Sequence, residues 1–131
     1  MIVYVDTSAA VKLAVAESES TELREWIGRE LAGGTNVVAS QLTRAELIRT
    51  GRRIEGADQA CRAVAAAFET VHLTPEDYAV AAELSPVETR TLDALHVAVA
   101  LRVGADAILT YDERQSRAAA AAAGLPVVAP R

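Results

Sequence analysis

Short apolar runs alternate with longer segments of helical period along this whole chain, and that alternation admits few folds. The runs lie at residues 2–5, 36–39, 71–73, 107–110 and 127–129. Between them apolar residues recur with the spacing of amphipathic helices. Strand–helix–strand order predicts a central parallel sheet with helices on both faces, a three-layer α/β/α sandwich. The first run, MIVYVDTS, says most. Ile2, Val3, Tyr4 and Val5 are all good strand formers, and an unbroken apolar run suits a strand covered on both faces. Asp6 then stands where the strand stops. Open parallel sheets bind ligands outside the carboxyl ends of their strands, so Asp6 falls where chemistry is usually found.

Helices are expected over residues 9–17 after a Thr7 or Ser8 cap, over 20–31 up to Gly33 and Gly34, and over 41–53 after a Ser40 cap. Others are expected over 57–68, 75–84, 91–103 and 112–123. The start at Thr74-Pro75-Glu76-Asp77 combines a cap, a proline at the first position and acids in the first turn. Leu23, Trp26, Ile27 and Leu31 share one face, and Cys61, Val64 and Phe68 another. The face of Leu42, Ala45 and Ile48 with Arg49 is mixed. Residues 51–56 read as a charged turn, and residues 85–90 as a loop around Pro86. Repeats and linkers are absent from the sequence, so residues 1–131 are read as one domain.

A chain of 131 residues buries roughly two-thirds of its unfolded surface. Its 51% hydrophobic and 24% charged residues are ordinary for a globular protein. The lone Cys61 allows no internal disulfide, which fits the cytoplasm, and its apolar helix side makes it inert core. The N-terminus lacks a basic region and Asp6 interrupts its apolar run, so a signal peptide is not expected. Nor is a membrane span, which needs roughly 18 uninterrupted apolar residues. The net charge of −5 by itself argues against a nucleic-acid partner. If four of the 18 acids gather on metal ions, however, 14 acids face 13 bases elsewhere and the remaining surface is near neutral.

Four carboxylates share one placement, at a strand end or early in the helix that follows. Asp6 ends the first strand, Glu46 lies six residues after Ser40, Asp93 is in the first turn opened by Thr91, and Asp112 follows AILTY. One acid at a helix start is bland, since the helix dipole favours it by about 0.3–1 kcal/mol. Asp93, though, leads into Ala94, Leu95, Val97, Ala98 and Val99, where an unpaired buried charge is costly. A divalent cation is a natural partner, and oxygen-only ligation suits Mg²⁺ or Mn²⁺. Ser8 and Thr110 each lie two residues from one of these acids. They either hold a carboxylate or a water in place or serve as ordinary caps. His96 reads as a structural helix histidine rather than a general base, and His72 receives no role. Arginines gather around Glu46 (Arg44, Arg49, Arg52, Arg53) and after Asp112 (Arg114, Arg117). Of these, Arg44, Arg49 and Arg114 are candidates for holding substrate phosphates, against the alternative of a solvated face with local ion pairs.

Other classes that put acids at strand ends fit poorly. A phosphotransfer receiver domain needs a late lysine, and Lys12 is the only lysine. Haloacid-dehalogenase-like phosphatases carry a second acid where this chain has Ser8. Neither G-x-x-x-x-G-K-[ST] nor G-x-G-x-x-G occurs.

Four segments in order, VDTSAAVKL at 5–13, SQLTRAELIR at 40–49, TLDALHVAVAL at 91–101 and ILTYDERQ at 108–115, resemble the PIN domain. More narrowly they resemble the ribonuclease toxins of the VapBC toxin–antitoxin type. The resemblance implies a Mg²⁺- or Mn²⁺-dependent endoribonuclease, the toxin of a type II system, which hydrolyses RNA with metal-activated water. It maps Asp6, Glu46, Asp93 and Asp112 onto the family's acidic quartet, with Asp6 and Asp93 as metal ligands and Ser8 and Thr110 beside them. It further implies a homodimer and a VapB-type antitoxin whose C-terminal segment covers the active site. Glu113 follows Asp112 directly, so either acid could point inward. The alternative outside enzymes is a PIN-like module that binds RNA or protein without cutting.

Overall fold

β1 (Ile2–Val5) lies at the centre of a sheet whose strand order is β3-β2-β1-β4-β5, in a computed structural model that describes residues 1–122 and 124–131. Its neighbours are β2 (Asn36–Ser40) and β4 (Ala107–Leu109), and the outer strands are β3 (Glu69–Val71) and β5 (Val127–Val128). All four pairings are parallel, and Tyr4 sits in register with Val38 on one side and Ile108 on the other. The helices are α1 (Thr7–Ala14), α2 (Ser20–Ala32), α3 (Gln41–Arg53), α4 (Asp58–Ala67), α5 (Pro75–Glu83), α6 (Thr91–Arg102) and α7 (Glu113–Ala121).

The chain builds outward from β1 to β3, then returns across β1 to β4 and continues to β5. Right-handed crossovers in opposite directions put their helices on opposite faces. Residues of α1 to α4 accordingly pack with Val3 and Val5 in one core. Tyr4 and Ile108 meet α6 and α7 in the other. Alternate residues of β1 thus serve both layers, which is why the run is apolar throughout. The three-layer parallel α/β architecture expected from the alternation is the one observed. The reversal of strand order between β1 and β4 opens a crevice at their carboxyl ends.

Several local expectations are corrected. β3 begins at Glu69, two residues before the expected run, and His72 follows the strand. The buried positions of α3 are Thr43, Leu47 and Gly51, while Leu42 and Ile48 are half-buried and Ala45 is exposed. Gly51 is therefore inside a helix rather than in a turn. Leu31 is exposed instead of joining Leu23 in the core. α1 takes Asp6 as its N-cap rather than Thr7 or Ser8, and α2 is preceded by Glu19 at φ 66°. The expected end of the last helix, Ala123, lies outside the described residues. Among the described residues no helix is long and apolar enough to cross a membrane.

One buried charge braces the α5–α6 side. Asp77, 1% exposed, receives Arg102 Nε at 2.8 Å and the Thr74 N–H at 2.8 Å. Arg102 also donates to the His72 carbonyl. Burial pushes the Asp77 carboxyl up, but Arg102 and the Thr74 N–H outweigh it and hold it below the usual carboxylate range. A depressed carboxylate stabilises the fold above its unfolded pKa of about 3.9 and stops doing so as pH falls through its folded pKa. Asp77→Asn should cost about 2 kcal/mol at pH 7, below the range for fully buried pairs because Arg102 is partly exposed. Urea melts should show that deficit shrinking towards pH 3.

Candidate functional site

Three of the four acids converge on the crevice between β1 and β4. Asp6 follows β1 as the N-cap of α1, yet its side chain makes no capping hydrogen bond. Its carbonyl accepts the Ala9 and Ala10 N–H groups instead. An N-cap aspartate ordinarily spends its carboxylate on the helix. Here Asp6 Oδ2 accepts the Ser8 hydroxyl at 2.9 Å and the Thr110 hydroxyl at 2.8 Å. Those hydroxyls are anchored in turn, since Ser8 Oγ accepts the Tyr111 N–H and Thr110 Oγ1 accepts the Asp112 N–H. Both hydroxyls therefore donate to the Asp6 carboxylate.

Asp112 caps α7, with Oδ1 accepting the N–H groups of Arg114 and Gln115. Glu113 is exposed, so Asp112 is the acid that turns inward. Asp93, in the first turn of α6, is half-buried. Burial, then the charges of Asp112 and Asp6, push its carboxyl above the usual range. Gln115, fully buried on α7, donates to the Asp93 carbonyl and ties the two helices together.

Glu46 meets this group from the side. Its Oε1 accepts the Thr7 hydroxyl at 2.8 Å and His96 Nε2 at 2.5 Å. Burial would raise the Glu46 carboxyl, but His96 and Thr7 hold it below the usual range. His96 shows the reciprocal change. Burial opposes its charge, yet Glu46, Asp6 and Asp93 raise its pKa. From sequence His96 reads as structural, Thr7 only as a helix cap, and Gln115 receives no role. A buried polar residue on an otherwise apolar helix was the available signal for His96.

The donor set fits a hard divalent cation. The charges of Asp112 and Asp6 bear on Asp93, and that repulsion is what a cation would relieve. Among the described residues no three acidic, imidazole or thiol groups close into a cage. Mg²⁺ takes one or two carboxylates, keeps several waters and binds substrate phosphate, so it does not need one.

A cleft of about 330 Å³ opens beside Asp93 and is lined by Arg90, Arg114 and Arg117, with Glu88 and Thr89. Of the candidate arginines, Arg114 lines this cleft. Arg44 is exposed on α3 and does not line this cleft, and Arg49 lines a separate groove with Arg52 and Arg53.

The PIN-domain profile matches residues 3–121. Ribonuclease VapC46 of Mycobacterium tuberculosis is 40% identical over 131 residues, covering 98% of this chain and 97% of the relative. The chain belongs to the PIN-domain family, among the VapC ribonucleases. VapBC2 from Rickettsia felis, solved with a DNA fragment from its promoter, matches with a TM-score of 0.78 at 14% identity, and both chains are covered in full. Mycobacterium tuberculosis VapC20, a Sarcin-Ricin loop cleaving toxin, matches with a TM-score of 0.70 at 20% identity, covering 88% of this chain and 94% of that one. These structural likenesses concern the fold.

Proposed function

We propose that this chain is a Mg²⁺- or Mn²⁺-dependent endoribonuclease, the toxin of a VapBC-type pair, and that Asp6, Glu46, Asp93 and Asp112 form its active site. The observation that carries the reading is the convergence of Asp6, Asp93 and Asp112 at the strand-order reversal, in a chain close to a VapC ribonuclease. Asp6 and Asp93 would hold the cation. When bound, it supplies positive charge that polarises the phosphodiester and makes a water easier to deprotonate. The protein's own part is orientation. Ser8 and Thr110 fix Asp6, Thr7 and His96 fix Glu46, and Asp112 is held by the first turn of α7.

Arg90, Arg114 and Arg117 would take the phosphates on either side of the scissile one, since guanidinium forks match phosphate oxygens. The pair substitution Arg114→Ala/Arg117→Ala should raise KM for RNA about tenfold and flatten its salt dependence, with a smaller change in kcat. Steady-state kinetics at two ionic strengths measure this.

His96 is 1% exposed, so it is not available to a substrate 2′-hydroxyl, which favours hydrolysis by water over attack by the RNA itself. Purified protein and end-labelled RNA with Mn²⁺ test the assignment. Cleavage leaving no 2′,3′-cyclic phosphate is expected. Binding without cleavage would replace this reading with the non-cleaving module. A VapB-type antitoxin, supported by the VapBC2 structure among the fold's likenesses, and a second copy of the chain are the partners this reading implies.

A further inference from the structure

His96 makes connections that a space-filling helix histidine does not need. It lies one turn after Asp93 on α6, and both of its ring nitrogens are engaged. Glu46 can only accept, so the Nε2–H of His96 donates to Glu46 Oε1. The same nitrogen stands 3.6 Å from Asp6 Oδ1. On the other side, Nδ1 is 2.7 Å from the Tyr4 hydroxyl, which also lies 2.7 Å from Ser40 Oγ and 3.3 Å from Thr43 Oγ1. Thr43 Oγ1 donates to the Val5 carbonyl, closing the network onto the central strand.

The partners come from far apart in sequence, 92 residues for Tyr4 and 50 for Glu46. They join β1, the start of α3 and α6, and the chain of bonds ends on Glu46, with Asp6 standing beside it. Buried networks of this kind fix geometry when every member is satisfied and are costly when one is removed. The Oε1 atom of Glu46 already has two donors, His96 and Thr7, so its orientation is set by the protein.

We infer that His96, anchored on the Tyr4 hydroxyl, is a positioning residue for RNA cleavage that sets the orientation of Glu46 beside Asp6. The inference rests on the nuclease reading above. It assigns His96 a function through Glu46, with no contact to substrate, and makes Tyr4 its support.

A double-mutant cycle on RNA cleavage tests it. His96→Leu should lower kcat about 10- to 100-fold, the usual scale for residues that orient a metal site's carboxylates, with KM for RNA changed less than about twofold. His96→Gln, whose amide can still donate towards Glu46, should recover part of that loss. Tyr4→Phe keeps the buried ring and should lower kcat about three- to tenfold. In a Glu46→Ala background His96→Leu should add less than about twofold, because no carboxylate is left for His96 to orient. Thermal melts establish that each variant is folded, and if His96→Leu is not, His96→Gln and Tyr4→Phe decide. Wild-type kcat in folded His96→Gln and Tyr4→Phe, or effects of His96 and Glu46 that multiply, would overturn the positioning role alone. A wild-type protein that cuts no RNA would overturn the nuclease reading and this inference with it.

Discussion

Asp93→Asn should abolish RNA cleavage, by about 10³-fold or more, and at the same time make the metal-free protein more stable at neutral pH. The two effects have one cause. Asp93 is half-buried and faces Asp112 and Asp6, so its carboxyl lies above the usual range. A carboxyl raised in the folded state weakens folding as pH climbs from its unfolded pKa, about 3.9, through its folded one. Above both values the full penalty is present, and below both it is absent. Asparagine has nearly the same shape and no charge to repel. In EDTA the variant should melt above the wild type at pH 7, and the two should converge near pH 3. With Mn²⁺ the wild type should gain stability and the variant should not, since ligand binding to the folded state raises its melting point. A carboxylate kept only for structure would behave the opposite way.

Gly51→Ala should be markedly destabilising for a change of one methyl group. Gly51 is buried within α3, where that helix crosses α4. A Cβ there would stand 2.7 Å from Cys61 Cβ, 3.0 Å from its Sγ and 3.3 Å from the Ala57 carbonyl oxygen. Two of those contacts are with atoms fixed to the α4 backbone, so the helices must move apart. Overpacking of this kind costs about 1–3 kcal/mol, and the lack of a flexible side-chain tip puts this case near the upper end. The gain in helix propensity from glycine to alanine, about 1 kcal/mol, offsets part of it. Adding Cys61→Gly removes the clashing Cβ and should return some of the loss. Urea denaturation of the single and double variants measures both. The same close packing leaves Cys61 fully buried, with its thiol pushed up by burial and by Asp58.

The features that were legible in sequence are those with a local cause. Buried strands announce themselves as short apolar runs, and each acid of the candidate site sits at a strand end or early in a helix, so topology alone gathers three of them. What stayed hidden depends on contacts across the fold. The inward face of α3 is made by Thr43, Leu47 and Gly51, and two of those three carry no hydrophobic signal. Thr43 is buried because its hydroxyl meets the Val5 carbonyl, and Gly51 because α4 lies against it. β3 starts two residues early because an edge strand with exposed Glu69 has little apolar pattern to read. His96 looked structural because α6 is apolar almost all round, and its partners are 50 and 92 residues away. Among the arginines, Arg114 lines the cleft beside Asp93, while Arg49 lines a separate groove with Arg52 and Arg53. Arg90, distant from every acid but Asp93, turned out to share the cleft with Arg114 and Arg117.

The most direct test of the metal-dependent nuclease is cleavage of one labelled RNA by wild type and Asp93→Asn, each with Mn²⁺ and with excess EDTA. Wild type with Mn²⁺ should cut, EDTA should stop it, restored Mn²⁺ should revive it, and the folded variant should stay silent throughout. Undiminished cutting in EDTA, or by the folded variant, would contradict the account.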